Sequence, residues 1–143
     1  LCDVRVSTPE CKFGLPEVRY GTVASLGGIF LLTRIVGLGR TFELLYLGDT
    51  FTGTRALEMG LINRVVKVDD LAARVDEYAR TISNNAPMTV ASIKTIVGEI
   101  VKDESMRDVA WCDRLVDACF NSDDYREGRT AFMEKRKPRF QGR

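Results

Sequence analysis

The spacing of apolar positions changes character partway along this chain. Cys2-Asp3-Val4-Arg5-Val6-Ser7 alternates, which predicts a half-buried strand broken at Thr8-Pro9-Glu10. Lys12-Phe13-Gly14 predicts a second short extended piece. Residues 21–28 are small and flexible and read as a turn. The run Ile29-Phe30-Leu31-Leu32 with Ile35-Val36 then predicts a helix ending at Gly37. Residues 40–47 predict a buried helix closed by Gly48. Thr54 reads as the N-cap of a short helix over 55–59 with Gly60 at its end, and 61–66 reads as a strand.

Beyond that point the period is helical. Asp69 or Asp70 caps a helix with an apolar face of Leu71, Val75, Tyr78, Ala79 and Ile82. Asn84-Asn85-Ala86-Pro87 ends it and begins the next, whose face is Ile93, Ile96, Val97, Ile100 and Val101. Cys112, Leu115, Val116, Cys119 and Phe120 repeat the same spacing. Ser122-Asp123-Asp124 starts a last helix running through Phe132 and Lys135. The fold class expected is α/β: a β/α part over residues 1–85 and a helical part over 86–143. The helical part has more apolar faces than so few helices can bury among themselves, so it is expected to need partners.

Composition narrows the chemistry. The chain has 143 residues, 21 Lys and Arg against 20 Asp and Glu, and a net charge of +1. Nothing in that balance points to nucleic acid or to a membrane surface. No apolar run approaches the roughly 20 residues that span a bilayer. There is no histidine, so neither a His-based triad nor a His-ligated metal can be completed from these residues, and no metal is expected. The four cysteines, Cys2, Cys11, Cys112 and Cys119, form no CxxC pair and read as small buried residues in a reducing compartment. The start, Leu1-Cys2-Asp3-Val4, lacks Met and any signal pattern, and reads as a piece of a longer polypeptide.

Three features carry candidate chemistry. Glu17 follows Pro16 inside the glycine-bounded segment from Phe13-Gly14 to Gly21. Held rigid and partly desolvated there, its carboxyl would suit proton transfer; the alternative is a solvated loop residue. The segment Gly21-Thr22-Val23-Ala24-Ser25-Leu26-Gly27-Gly28 precedes a helix, whose free N–H groups can cradle an anion or a polarised water; the alternative is a plain tight turn. The tail carries Lys135, Arg136, Lys137, Arg139 and Arg143, either a solvated basic end or a site for a polyanion.

These residues together resemble the enoyl-CoA hydratase/isomerase (crotonase) family. Cys2-Asp3, Phe13-Gly14, Pro16-Glu17-Val18 and Gly21 match a strand with A-C-D followed by F-G-x-P-E-v-x-x-G. The stretch 49–66 is similar to the family's T-G-x-x-x-x-A-x-E-A-x-x-x-G-L-V-N-x-V-V. Asp124-Tyr125-Arg126-Glu127-Gly128 and Phe132 to Arg136 are similar to D-x-x-E-G and F-x-x-K-R. The resemblance implies the second half of a crotonase-type ββα spiral core followed by a helical oligomerisation region. It implies Glu17 as an acid/base exchanging a proton with the α-carbon of an acyl thioester. It implies Ser25, Leu26 and Gly27 beside the water and acyl side of the substrate. Here the chain has Ala24, Ser25, Leu26 and Ile29 where the family pattern P-G-A-G-G-T has Pro, Gly, Ala and Thr.

Phe132 and Lys135 are implied as contacts to the adenine and phosphates of coenzyme A. The substrate implied is an acyl-CoA, with no cofactor besides that thioester. The assembly implied is a homotrimer or hexamer, in the cytoplasm or, in a eukaryote, the mitochondrial matrix. The family's other half supplies a second acid/base Glu and two backbone N–H donors for the thioester oxyanion, each worth on the order of 3 kcal/mol. The reaction implied is hydration of an enoyl-CoA. Isomerisation of the double bond, thioester hydrolysis and an inactive acyl-CoA-binding homologue are the alternatives.

Overall fold

A computed structural model of the protein describes residues 2–143. It divides into two compact units, one up to Asp76 and one from Glu77 onward. The division falls within a helix, where the sequence pattern placed the change of character at 85/86.

The first unit begins with two short strands, β1 (Val6–Ser7) and β2 (Lys12–Gly14), and a 3-10 turn over Pro16–Tyr20. Helices α1 (Leu26–Val36) and α2 (Leu38–Leu47) follow, then β3 (Thr50–Thr52), α3 (Gly53–Glu58) and β4 (Arg64–Val65). β1 pairs with β4 in parallel, Val6 opposite Arg64, and β2 pairs with β3 antiparallel, Phe13 opposite Phe51. The two phenylalanine rings stack with centroids 5.9 Å apart. Arg5 and Asn63 extend the parallel pairing. The Arg5 backbone N–H donates to Asn63 Oδ1 at 2.8 Å, and the Asn63 N–H returns a bond to the Arg5 carbonyl, also at 2.8 Å.

Among the described residues the main cluster of buried apolar side chains lies in this unit. Leu32, Val36 and Met59 are buried together, with Leu15, Ile35, Leu44, Leu45, Phe51 and Leu61 packed on them. Each side chain of that size contributes about 1.5–3 kcal/mol when fully withdrawn from water. The core is anchored by a close backbone approach. A side chain at Gly53 would place its Cβ 1.9 Å from the Thr8 carbonyl oxygen, and the Gly53 N–H donates to the Pro9 carbonyl at 3.0 Å.

That approach also corrects two expectations. α3 begins at Gly53, and its N-cap is Thr52, whose hydroxyl accepts from the Arg55 N–H at 3.3 Å, rather than Thr54. The strand expected over 61–66 shrinks to Arg64–Val65, because the turn before it is occupied closing α3, with the Leu61 N–H on the Ala56 carbonyl. Likewise β1 keeps only Val6–Ser7 of the six alternating residues. α2 is not buried as expected: Thr41 is its one buried residue, and Tyr46 and Leu47 face outward. Cys2 and Cys11 are exposed free thiols rather than core residues, and Cys112 and Cys119 are half-buried.

A 3-10 turn (Val68–Asp70) leads into α4 (Leu71–Ser83), in which the division lies. The second unit continues with α5 (Pro87–Ile100), a 3-10 turn (Glu104–Met106), α6 (Val109–Asn121) and α7 (Asp123–Met133). Pro87 opens α5 at a position where its missing N–H costs nothing. Asp108 and Ser122 cap α6 and α7 with side-chain bonds to the N–H groups of Trp111 (2.7 Å) and Tyr125 (3.0 Å).

Candidate active site

Glu17 sits on the 3-10 turn Pro16–Tyr20. Pro16 fixes the entry dihedral, and at the exit the N–H groups of Gly21 and Thr22 bond back to Val18 and Glu17 carbonyls at 3.3 and 3.2 Å. The Glu17 side chain is half-buried. Its Oε2 is shut off from solvent and has no hydrogen-bond partner among the described residues. An oxygen left so costs about 1–3 kcal/mol.

The turn is pinned to the end of α2 around Gly48, which the sequence marks only as the close of that helix. The Arg19 guanidinium pairs with the Asp49 carboxylate and also donates to the Leu47 carbonyl at 3.4 Å. Gly48 lies between them in a left-handed conformation with φ of 59°. A Cβ on Gly48 would come within 2.9 Å of the Val18 side chain. The pair is half exposed, so its role is to fix geometry more than to add stability. Asp49 was legible as part of the family-like stretch; its partner Arg19 carried no signal of its own.

Ser25, Leu26 and Gly27 form the entry to α1, which starts at Leu26, three residues earlier than the apolar run predicted. The reason is the Ser25 side chain, an N-cap whose Oγ accepts from the Gly28 N–H at 3.2 Å. Gly27 and Gly28 therefore lie inside the first helical turn rather than in a loop before it. Leu26 is 85% exposed, a bare apolar side chain at the mouth of the helix. No hydrogen bond among the described residues joins the Glu17 carboxyl to Ser25, Leu26 or Gly27.

Phe132 and Lys135 belong to the second unit. Phe132 is 82% exposed near the end of α7 and forms part of the wall of an apolar groove of about 550 Å3 with α5 and α6. Lys135 lies beyond the helix, not within it as expected, and has a left-handed backbone with φ of 54°. Its neighbour Arg136 is held by Glu127 through two bonds of 2.6 and 2.8 Å, and by Glu134 at 2.6 Å. The Arg136 side chain, and then the Arg139 N–H, hold the Glu127 carboxyl down at about 2. Arg136 is thus committed within the tail, and Lys135 stands outside that pairing. Among the described residues no group of three or more Cys, Asp or Glu converges as a metal site, and no helix is long and apolar enough to cross a membrane.

The sequence model of the family described as enoyl-CoA hydratase/isomerase matches residues 1–143. The short-chain-enoyl-CoA hydratase of Clostridium acetobutylicum is 32% identical over 136 residues, covering 95% of this chain and 52% of that protein. The crotonyl-CoA hydratase of Syntrophomonas wolfei is 34% identical over 139 residues, covering 97% and 54%. The crystal structure of an enoyl-CoA hydratase from Bacillus anthracis superposes with a TM-score of 0.92 at 31% identity, over 99% of this chain and 55% of that one. The chain thus spans about half the length of the curated relatives it matches, and its α/β fold is that of crotonase-type proteins. With the match running through every motif that frames Glu17 and the tail, the chain belongs to the enoyl-CoA hydratase/isomerase family.

Proposed function

We propose that this chain is the C-terminal half of an enoyl-CoA hydratase-type enzyme, with Glu17 as an acid/base. The observation that carries the proposal is the Glu17 carboxyl itself, on a turn fixed by Pro16, Gly48 and Arg19, with one oxygen buried and unpartnered. Water adds through its oxygen to the β-carbon of the enoyl thioester, the carbonyl takes the charge as an enolate, and Glu17 delivers a proton to the α-carbon. The donors that polarise the carbonyl, and a second carboxylate that takes the proton from the water, are assigned to the remainder of the protein. Ser25, Leu26 and Gly27 border the acyl group, Leu26 offering apolar surface. Phe132 offers a face to the adenine, and Lys135 a charge to a phosphate.

The family membership and the names of the hydratases it resembles support this reading. Residues 1–85 act as the core part and 86–143 as an oligomerisation region with the coenzyme-contacting tail. The exposed Ile93, Val97 and Ile100 on α5 and Val116 and Phe120 on α6 fit a homotrimer or a hexamer built from it. Cytoplasm, or the mitochondrial matrix of a eukaryote, is the compartment this reading implies.

The test is to give the whole protein a short 2-enoyl-CoA in heavy water. Hydration places a hydroxyl at the β-carbon and one deuterium at the α-carbon. Deuterium with a moved double bond and no hydroxyl assigns an isomerase instead. No change in the thioester over long incubation overturns the catalytic reading.

A further inference from the structure

The segment after α7 is folded back by a carboxylate that has no part in the proposed chemistry. Asp124, in the first turn of α7, is 3% exposed. Its Oδ1 accepts the backbone N–H of Gln141 at 2.6 Å, and its Oδ2 that of Gly142 at 2.8 Å. Its own N–H donates to the Arg143 carbonyl at 3.1 Å. One buried residue thus clasps the tail through three successive positions. Between that clasp and the helix end, Glu127 accepts the Arg139 N–H at 2.8 Å, and Phe140 lies over Gly128, where a Cβ would touch its ring at 3.6 Å. The chain leaves α7 at Met133, reverses at Lys135 and returns along the helix to its start.

Both ends of this return are fixed, and Lys135 is the reversal point. Its left-handed backbone is set locally, by the Lys135 and Arg136 N–H groups on the Phe132 and Ala131 carbonyls, and the path of the chain beyond it needs a further constraint. The Glu127–Arg136 pair is partly exposed and screened by solvent, so it is a weak constraint. Asp124 is the strong one. It is buried, and both of its carboxylate oxygens are satisfied by backbone amides, charge-assisted bonds that releasing the tail would break.

We propose that Asp124 is the positioning residue of the coenzyme-contacting tail. By clasping the Gln141 and Gly142 amides it holds in place the return loop that begins at Lys135 and so aims the ammonium at a phosphate of the thioester ligand. The inference rests on the reading of Lys135 as a phosphate contact.

The experiment measures coenzyme A binding to the whole protein by calorimetry at low and high salt. The variants are Lys135→Ala, Asp124→Ala and the double variant, with Asp124→Asn, which keeps one acceptor, as a version that preserves folding. Amide exchange at Gln141 and Gly142 reports the clasp. The expected result is a several-fold loss in Lys135→Ala, a similar loss in Asp124→Ala, a smaller one in Asp124→Asn, and a double variant no weaker than either single. The salt dependence should disappear in Asp124→Ala as it does in Lys135→Ala.

Losses that multiply in the double variant overturn the proposal, because Asp124 would then act without Lys135. Faster exchange at Gln141 and Gly142 with wild-type affinity also overturns it. An unchanged affinity in Lys135→Ala instead removes the phosphate reading on which the proposal stands.

Discussion

Lys135 offers a substitution in which stability and binding should move in opposite directions. With α7 ending at Met133, the Arg136 N–H bonds to the Ala131 carbonyl at 3.0 Å and the Lys135 N–H to the Phe132 carbonyl at 3.2 Å. This is the paired closure that normally has glycine where Lys135 stands, at φ of 54°. A side chain in that conformation costs roughly 1–2 kcal/mol. Glycine gives back about 0.5–1 kcal/mol through its freer unfolded chain. Lys135→Gly should therefore stabilise by about 0.5–1 kcal/mol. With an unfolding entropy of roughly 2.1 cal/mol/K per residue, that raises the Tm of a chain of this length by about 2–3 °C.

The same change removes the ammonium, and coenzyme A binding should weaken several-fold, less so at high salt. Scanning calorimetry and titration calorimetry on one preparation read both effects. Asn, which also tolerates the left-handed region, should fall between Lys and Gly in Tm. A lower Tm for Lys135→Gly would refute the strain argument. A higher Tm with unchanged affinity would refute the assignment of the ammonium to a phosphate.

Gly53→Ala drives a Cβ into the Thr8 carbonyl and should cost about 1–3 kcal/mol, whereas Gly39→Ala in α2, with nothing within 4 Å, should be neutral to slightly stabilising; equal Tm values would contradict the close approach. Glu127 titrates at about 2 in the folded chain instead of its ordinary 4.5, so the stability it adds is full above about pH 4.5 and is lost as pH falls through about 2. Glu127→Gln should therefore be less stable than the parent at pH 7, with the gap closing between those pH values; a gap independent of pH removes the linkage. Light scattering on the whole protein should report a trimer or a pair of trimers, and a monomer at micromolar concentration would count against the oligomerisation reading of α5 and α6.

The sequence displays the second unit well because its signals are local. Pro87 at the start of α5, Ser122 at the cap of α7 and the three apolar faces act within a few turns of themselves, and α4 to α7 lie where those signals put them, save that α7 ends at Met133, short of Lys135. The first unit is less legible because its elements are defined by distant partners. Thr50–Thr52 becomes a strand only by pairing with β2, and nothing in those three residues announces it. Thr52 rather than Thr54 caps α3 because Gly53 is already bonded to Pro9.

The candidate site divides the same way. Glu17 and Lys135 could be named from their motifs, since each motif is contiguous. What holds them could not. Arg19 reaches across to Asp49 and Leu47, and Asp124 reaches the last residues of the tail, through contacts that no periodicity encodes.

The central claim is that Glu17 moves the proton at the α-carbon, and Glu17→Gln in the whole protein tests it most directly. Gln keeps the shape and the packing of the turn while removing the transferable proton. The account predicts a fall in kcat of about 10²-fold or more, with little change in KM and with exchange of the α-proton into heavy water reduced in parallel. Wild-type turnover and exchange in Glu17→Gln would contradict it.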